Sequence, residues 1–389
     1  MVVLIEFLDR EPIENYITCL NYQVDRVVFF GYQKEIDRQR ETAQNFLKKE
    51  CGISSVIFHA VSATNAKATI ENITKQVEAE KGHGADVFFD VTGGESLILT
   101  AFGIIAERIK APVHFFDVVK GEIHEIETGA NKHMSTFVPE RKVRMTIDRY
   151  LCMYGGIEIK ERHKNNKELT QENIVNLRSL CEVSEQFREV WNGFSNFMAY
   201  VFNNGDSLSA ARSAQEVILE LNKDNVKIGT VKDLNEILDT LSEKKLITDL
   251  VHEDGKYRLK YVNKYVKACI LEAGSVLELN ACSRECIDTD EYRIGVNIDW
   301  DGVVHPAAQG DVYNEIDVLT LKGYILTFIS CKSGKFRNDE EVNRALYELE
   351  TVATRFGGRY AVKKIYLKNK LGPVHEERAE EMGIRLIYV

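Results

Sequence analysis

Several features that would assign this sequence to a specialised class of protein are missing. No run of apolar residues approaches the ~18 that a membrane helix needs, and five prolines in 389 residues exclude a proline-rich chain. Eight cysteines are scattered without a metal-binding spacing or a disulfide framework. The start of the sequence lacks the basic segment of a secretory signal. We therefore expect a cytoplasmic protein with reduced thiols, no membrane contact and no structural zinc.

Charge is unevenly distributed along the chain. The formal net charge of -10 excludes a general attraction of the whole molecule to polyanions. From Thr320 to Val389, however, 13 Lys and Arg minus 9 Asp and Glu give +4. Such a basic segment can guide a nucleic-acid backbone, although a solvated helix face explains a small excess equally well. The basic side chains in question are Arg337, Arg344, Arg355, Lys363 and Lys364.

The length predicts two or three domains, and the N-terminal part alternates short apolar runs with amphipathic stretches. Runs that are apolar on both faces, separated by helical patterns, are typical of a parallel sheet covered on both sides, the doubly wound α/β architecture. Ligands bind such sheets beyond the carboxyl ends of the strands. The predicted strands are Val2–Leu8, Arg26–Phe30, Ser55–His59, Val87–Val91 and Pro112–Val118, and the predicted helices are Ile13–Leu20, Glu35–Lys48, Ala66–Glu80 and Ser96–Ile109.

The rest of the chain divides into a helical middle and a second α/β domain. A helix from Val231 followed by a hairpin with an Asp-Gly turn predicts a winged-helix-like module over 148–265. Because its helix is not basic, a connecting or dimerising role is favoured over DNA reading. From 266 to 389 we predict a helix over Lys267–Ala281, three strands, a long helix Asp339–Phe356 and two more strands around a helix. The N-terminal domain is then 1–147.

The segments Asn314-Glu315-Ile316-Asp317-Val318 and Ile329-Ser330-Cys331-Lys332-Ser333-Gly334 carry the most informative pattern. Period two along a strand places Glu315 and Asp317 on one face, with Ile316 and Val318 on the other. A short turn brings Ser330 and Lys332 beside Asp317 on the neighbouring strand. A carboxylate that binds Mg²⁺ or Mn²⁺ and a lysine that polarises bound water are the elements of a metal-dependent nuclease. A surface ion pair on an ordinary hairpin is the alternative.

This hairpin resembles the restriction-endonuclease-like PD-(D/E)xK motif of CRISPR ancillary nucleases that carry an N-terminal CARF sensor domain. Further similar features are the Val91-Thr92-Gly93-Gly94 turn after a core strand, Gly274-Ser275-Val276-Leu277-Glu278, and Ala345-Leu346-Tyr347-Glu348-Leu349 on the helix after the lysine. The resemblance implies a Rossmann-like CARF domain, a helical or winged-helix-like connector and a nuclease domain. It also implies a homodimer that a cyclic oligoadenylate activates to cleave single-stranded DNA, RNA or both in type III CRISPR antiviral defence.

Site residues follow from the same resemblance. Asp317 corresponds to the metal-binding aspartate, Lys332 to the catalytic lysine, and Glu278 to an acidic residue that completes the metal shell. Ser330 departs from the motif, which has Asp or Glu at that position, and a hydroxyl is a poor ligand beside a carboxylate. Glu348 on the following helix is the best replacement, acting as both a catalytic and a metal-binding candidate. Glu341 and Glu350 are the alternates.

In the sensor domain, the resemblance implies binding of cyclic tetra-adenylate, whose fourfold ring suits the twofold axis of a dimer. The glycine turn exposes backbone N–H groups at the start of a helix, which suits a phosphate. Glu95-Ser96 stands where relatives often have Thr-Lys, so the Glu95 carboxylate must point away from the phosphates of the ring. The candidate ring-binding residues are Asp9, Arg10, Gly31, Tyr32, Thr92, Gly93, Gly94, Glu95 and Ser96.

Two alternatives to an activated nuclease stay open at this level. One is a non-catalytic, nucleotide-sensing regulator in which Ser330 marks a decayed site and the middle module binds DNA. The other is cleavage of the cyclic activator by the sensor domain itself. A nicotinamide oxidoreductase is excluded because no G-x-G-x-x-G follows the first strand.

Overall fold

The computed structural model describes residues 1–129, 133–140, 143–159, 169–223, 228–303, 305 and 312–389. The N-terminal domain contains one sheet of strand order β3-β2-β1-β4-β5-β6-β7. Pairing from β3 through to β5 is parallel, whereas β6 and β7 are added antiparallel. The strands are β1 (Val2–Phe7), β2 (Arg26–Gly31), β3 (Ser55–Ala60), β4 (Asp86–Asp90), β5 (Val113–Asp117), β6 (Glu122–Ile126) and β7 (Met134–Phe137).

Four helices cover this sheet, at the positions expected from the sequence. They are α1 (Pro12–Asn21), α2 (Gln33–Cys51), α3 (Ala66–Gly82) and α4 (Ser96–Ile109). The strands β1, β2 and β4 form where apolar residues are continuous and are buried on both faces, whereas the edge strand β3 is half-buried. The helix α2 ends at Gly52, whose φ of 74° lies in the left-handed region that glycine tolerates. The doubly wound prediction is confirmed, but the antiparallel hairpin β6–β7 was missed.

The middle of the chain contains a module with the element order of a winged helix, namely helix, strand, two helices and a hairpin. Its elements are α7 (Trp191–Val201), β9 (Ser209–Ser213), α8 (Ala214–Leu221), α9 (Val231–Glu243), β10 (Ile247–Val251) and β11 (Lys256–Tyr261). Both Asp254 and Gly255 have positive φ, as the tight hairpin requires. Before it come α5 (Ile147–Met153), β8 (Ile157–Glu158) and α6 (Gln171–Gln186).

The C-terminal sheet has the strand order β16-β15-β14-β13-β12-β8, so the short β8 from the connecting segment completes its edge. The expected single helix over 267–281 is wrong: it is broken at Gly274, whose φ of 98° is incompatible with a continuous helix. The elements are α10 (Lys264–Leu271), α11 (Ser275–Glu285), β12 (Glu291–Asp299), β13 (Tyr313–Lys322), β14 (Ile325–Lys332), α12 (Asp339–Gly357), β15 (Val362–Leu367), α13 (Pro373–Glu381) and β16 (Ile384–Tyr388).

The N-terminal and C-terminal domains share a continuous apolar core. Phe116 of the first sheet packs edge-on against Tyr324, which lies in the β13–β14 turn, at 5.3 Å between ring centroids. The Tyr324 hydroxyl donates a hydrogen bond to Asn21 Oδ1 at 3.0 Å. The two domains therefore meet through the hairpin that carries the candidate nuclease residues. No helix in the described part of the chain combines the length and apolar character needed to cross a bilayer.

Candidate functional site

The hairpin β13–β14 places the candidate nuclease residues side by side. Its antiparallel register pairs Val318 with Ile329, so Asp317 and Ser330 lie one step further along. The Ser330 hydroxyl donates to Asp317 Oδ2 at 3.3 Å, and the Cys331 backbone N–H donates to the same oxygen at 2.6 Å. Asp317 is thus held by the neighbouring strand. Sequence reasoning missed the Cys331 amide, because a backbone donor leaves no signal in a motif.

At Asp317, the side chains of β13 stop alternating regularly between the two faces of the sheet. Ile316 packs in the core that includes α12, whereas Val318 packs in the core that includes α11. The expectation that these two residues share a face is therefore wrong. On the paired strand β12, Gly295 adopts a φ of 65°, which only glycine adopts readily and which breaks the regular pleat. The interruption turns the backbone at the point where the acid stands.

Electrostatics link Asp317 to Lys332. Burial raises the pKa of Asp317 and the charge of Glu315 raises it further, while Lys332, the Cys331 N–H and the Ser330 hydroxyl act to lower it. Lys332 is the largest of the opposing influences on this pKa, because its positive charge favours the ionised carboxylate. The two side chains thus act on one another from the same region of the hairpin.

Glu278 borders the same region from α11. A Cβ atom built on Gly274 would lie 3.6 Å from Glu278 Oε1 and 3.7 Å from Ser333 Oγ, so both side chains border this glycine. Burial raises the pKa of the Cys331 thiol, and the negative charges of Asp317 and Glu278 raise it further. The thiol therefore stays neutral between two carboxylates.

The α12 carboxylates are engaged elsewhere. Glu348 is exposed and accepts a hydrogen bond from Asn314 Nδ2 at 3.1 Å, three residues before Asp317 on β13. Glu341 accepts from the Arg337 backbone N–H at 2.8 Å at the start of the helix. Glu350 pairs with Lys363. Of the three, only Glu348 contacts the strand that carries the candidate aspartate.

The donor set suits a hard divalent cation. Among the described residues, no three His, Cys, Asp or Glu side chains gather as a closed metal shell, so Glu348 does not join Asp317 and Glu278 in one. Mg²⁺ typically uses one or two protein carboxylates, several waters and substrate phosphate oxygens. Carboxylate oxygens from Asp317 and Glu278 are compatible with that pattern, and the thiol of Cys331 is kept out of it by its raised pKa.

A second candidate site lies at the carboxyl edge of the N-terminal sheet. The strand order reverses between β1 and β4, which is where doubly wound sheets bind ligands. The loops after these two strands touch. A Cβ atom on Gly93 would lie 3.2 Å from Asp9 Cβ and 2.8 Å from Glu14 Oε2. Gly94, at a φ of 137°, packs against Phe7 and Leu99. At both positions a Cβ atom would lie too close to neighbouring side chains, so glycine is required.

The loop after β4 is built on a buried carboxylate. Asp90 accepts hydrogen bonds from the Thr18 hydroxyl and from the Thr92 backbone N–H, the latter at 2.6 Å. The Thr92 hydroxyl in turn accepts from the Phe116 N–H at 2.9 Å. Thr92 is therefore a buried brace of the loop. Burial, opposed by these hydrogen bonds, raises the pKa of Asp90.

The remaining ring-binding candidates surround the same edge. Glu95 and Ser96 are exposed at the start of α4, where the first backbone N–H groups of a helix favour an anion. Burial raises the pKa of Tyr32, and the negative charge of Glu95 raises it further. Gly31 is buried, and a Cβ atom built on it would lie 3.0 Å from Leu8 Cβ. Arg10 is 77% exposed and pairs with Glu35 at 3.1 Å.

Sequence reasoning missed the contact between the N-terminal domain and the segment that follows α12. Glu14, which borders the glycine turn, accepts hydrogen bonds from Arg359 and from the Tyr360 hydroxyl just beyond α12. Glu11 accepts from the Tyr154 hydroxyl and from the Arg359 backbone N–H. No periodicity indicates such a contact, because its partners are more than 340 residues apart.

Fold and sites together define a class: a doubly wound N-terminal domain joined through a winged-helix-like module to a C-terminal α/β domain that carries the candidate nuclease residues. Residues 270–388 match the model of the Card1-like endonuclease domain. The C-terminal domain is thus similar to the Card1-like endonuclease domain, and the protein is an endonuclease. No curated protein sequence matches the chain.

Two solved structures share the fold over the whole chain. Protein VC1899 from Vibrio cholerae matches with a TM-score of 0.70 and 18% identity, covering 100% of this chain and 94% of that one. Can2 from Sulfobacillus thermosulfidooxidans, solved in complex with cyclic tetra-adenylate, matches with a TM-score of 0.65 and 16% identity, covering 100% and 95%. The expected fold class is therefore confirmed along the full length.

Proposed function

We propose that the protein is a metal-dependent nuclease that cyclic tetra-adenylate activates to cleave single-stranded DNA, RNA or both in type III CRISPR antiviral defence. The observation that carries this proposal is the cluster of Asp317, Ser330 and Lys332 on one hairpin of an endonuclease domain. The Can2 structure, which contains cyclic tetra-adenylate and has the same fold, supports the choice of activator. The eight free cysteines fit a reducing cytoplasm.

The division of labour in the proposed nuclease site follows from the side chains. Asp317 and Glu278 would hold Mg²⁺ or Mn²⁺, while Glu348 hydrogen-bonds with Asn314 and stays outside this pair. A bound divalent ion would lower the pKa of a water molecule and polarise the phosphoryl oxygen. The positive charge of Lys332 lowers the pKa of Asp317, and its ammonium group would also neutralise a phosphate oxygen beside the carboxylate. Ser330 orients Asp317 through its hydroxyl.

The proposed sensor site lies within residues 1–147 and the proposed nuclease within 266–389, with 148–265 connecting them.

Exposed apolar residues on α4, including Leu97 and Ile104 at 41% and 61% exposure, favour a second copy packing beside the ring-binding edge. In a twofold dimer, each protomer would present the same loop to one half of the cyclic tetra-adenylate ring. Ile104→Lys should reduce the mass in light scattering from dimer to monomer, whereas Val175→Lys, on α6, should not.

The winged-helix-like module does not support the regulator alternative. The outward side chains of its third helix, α9, comprise Lys232 with Asp233, Glu236, Asp239 and Glu243. One positive and four negative charges would repel the phosphates of a duplex. A connecting role between sensor and nuclease is therefore the function we propose for this module.

Cleavage assays with full-length protein test the proposal. Fluorescent single-stranded DNA and RNA are incubated with Mn²⁺, with and without cyclic tetra-adenylate. Asp317→Ala and Lys332→Ala should each lower the stimulated rate by about a hundredfold or more. Lys322→Ala, an exposed lysine at the far end of the same hairpin, is the matched control and should cleave normally. Full cleavage by Asp317→Ala would assign the chemistry to another site.

A further inference from the structure

A cleft of about 800 Å³ separates the N-terminal domain from the end of α12. On one side it is lined by the loop after β1 and by α1 and α2, and on the other by the segment around Tyr154, the last turn of α12 and the chain that follows. We call it the interdomain cleft. Its basic lining residues are Arg10, Arg38, Arg355, Arg359 and Lys363, and its acidic ones are Glu11 and Glu350.

The N-terminal wall of the interdomain cleft has two guanidinium groups for one carboxylate. Arg10 Nε lies 3.1 Å from Glu35 Oε1, and Arg38 Nη2 lies 2.7 Å from Glu35 Oε2. Glu35 itself is almost completely buried, whereas both arginines are more than half exposed. Each guanidinium therefore keeps donor groups available for a second partner.

The opposite wall contributes a guanidinium without a carboxylate. Arg355 donates to the backbone carbonyls of Tyr154 and Trp300 and lies 5.0 Å above the Phe356 ring. Among the described residues it has no acidic partner within salt-bridge distance. Burial lowers its pKa, and the positive charge of Arg38 across the cleft lowers it further. Positive charge thus faces positive charge between the domains.

The other basic residues of the cleft are neutralised. Arg359 pairs with Glu14, and Lys363 pairs with Glu350. Glu11 is held by the Tyr154 hydroxyl and the Arg359 backbone N–H, and burial raises its pKa. The uncompensated charge is therefore concentrated where Arg10, Arg38 and Arg355 meet the cavity.

We propose that the interdomain cleft binds a di- or triphosphate group, either as free polyphosphate or as part of a nucleotide. Guanidinium groups recognise phosphate oxygens through paired hydrogen bonds, and an anion here would relieve the repulsion between Arg38 and Arg355. Three guanidinium groups on three separate elements suit more than one phosphate. Because Arg10 and Arg38 belong to the sensor domain and Arg355 to the nuclease domain, the ligand ties the two domains together.

Calorimetric titration of the full-length protein with pyrophosphate and with ATP, at low ionic strength, tests this site. Arg38→Ala is the decisive variant, because Arg38 is more than half exposed and Glu35 keeps Arg10 as its partner. Arg355→Ala, by contrast, also loses two hydrogen bonds to backbone carbonyls. Arg38→Ala should weaken binding of both probes about tenfold or more. Arg344→Ala, an exposed arginine on α12 outside the cleft, should leave affinity unchanged. Pyrophosphate should raise the thermal midpoint of the wild type and not that of Arg38→Ala.

The two probes distinguish the sources of the phosphate. Tighter binding of ATP than of pyrophosphate supports a nucleotide, and equal binding supports polyphosphate. Three results would overturn the proposal: no binding of either probe to the wild type, wild-type affinity in Arg38→Ala, or sulfate binding as tightly as pyrophosphate. The assay needs no cyclic activator and no cleavage, so it is independent of the proposed nuclease function.

Discussion

Replacement of Ser330 by aspartate is the sharpest test of the hairpin site. The Ser330 hydroxyl oxygen lies 3.3 Å from Asp317 Oδ2. Ser330→Asp would therefore place a second carboxylate beside one whose pKa burial already raises. It would also restore the acid that the PD-(D/E)xK motif has at this position. The variant should be less stable without metal and more responsive to metal than the wild type.

The expected size of the effect follows from Coulomb's law. Two like charges about 4 Å apart repel by about 1 kcal/mol in water and by about 4 kcal/mol at the effective dielectric constant near a protein surface. Because Asp317 is half-buried, the free energy of unfolding of Ser330→Asp in EDTA should fall by an amount between these limits. A divalent ion shared by two carboxylates would remove this penalty and add ligand stabilisation.

Thermal unfolding in EDTA and in Mn²⁺ measures this difference. The midpoint of Ser330→Asp should lie several degrees below that of the wild type in EDTA, and Mn²⁺ should raise it more than it raises the wild type. Thr327→Asp is the control, since it adds a carboxylate to the same strand opposite Thr320 rather than opposite an acid. It should destabilise the protein equally with and without Mn²⁺. Equal responses of Ser330→Asp and Thr327→Asp to Mn²⁺ would refute the assignment of Asp317 as a metal ligand.

Three further changes test other parts of the structure. Burial and the charges of Asp90 and Asp9 raise the pKa of Glu6 well above its ordinary 4.5, so the folded state holds the Glu6 proton more tightly than the unfolded state does. As pH rises above about 4.5, the wild type should therefore lose stability relative to Glu6→Gln, by up to ~1.4 kcal/mol per pH unit. Urea unfolding of both proteins across this pH range measures the difference. A pH-independent difference would contradict this. Gly93→Ala, whose Cβ would lie 2.8 Å from Glu14 Oε2, should cost about 1–3 kcal/mol and weaken binding of cyclic tetra-adenylate, whereas Gly82→Ala, with open space around it, should do neither. Phe356 is fully buried against Trp300, so Phe356→Ala should lower the free energy of unfolding by about 3–5 kcal/mol. Tyr347 is exposed on the same helix, so Tyr347→Ala should lower it by less than about 1 kcal/mol. Similar losses in the two variants would contradict the packing described for α12.

Much of the fold could be predicted because buried parallel strands carry continuous apolar runs. The strands β1 to β5 and the helices between them lie within two or three residues of the predicted bounds. The hairpin β6–β7 was missed because its residues are mostly polar and half-exposed, as at Glu122 and Ser135, and make no such run. The break at Gly274 was missed because apolar residues continue on both sides of it.

At the candidate site, too, some features could be predicted from the sequence and others could not. The residue types and the spacing of Asp317, Ser330 and Lys332 follow from the motif, since a hairpin with a short turn fixes which residues face one another. The partners of Glu348 and Glu350 could not be predicted, because a helix can turn either face to the sheet. The interruption opposite Gly295 also depends on backbone geometry that the pattern of side chains does not record.

The sequence by itself determined the order of domains, the parallel sheet with its glycine turn, and the hairpin that joins an acid to a lysine. These are local properties, set by apolar periodicity and by residues a few positions apart. Only the tertiary structure decided that Glu11 and Glu14 of the N-terminal domain bind Arg359 beyond α12, and that Arg38 and Arg355 line the same cleft. Those contacts join distant parts of the chain, and their charges interact only because burial brings them together in a low dielectric.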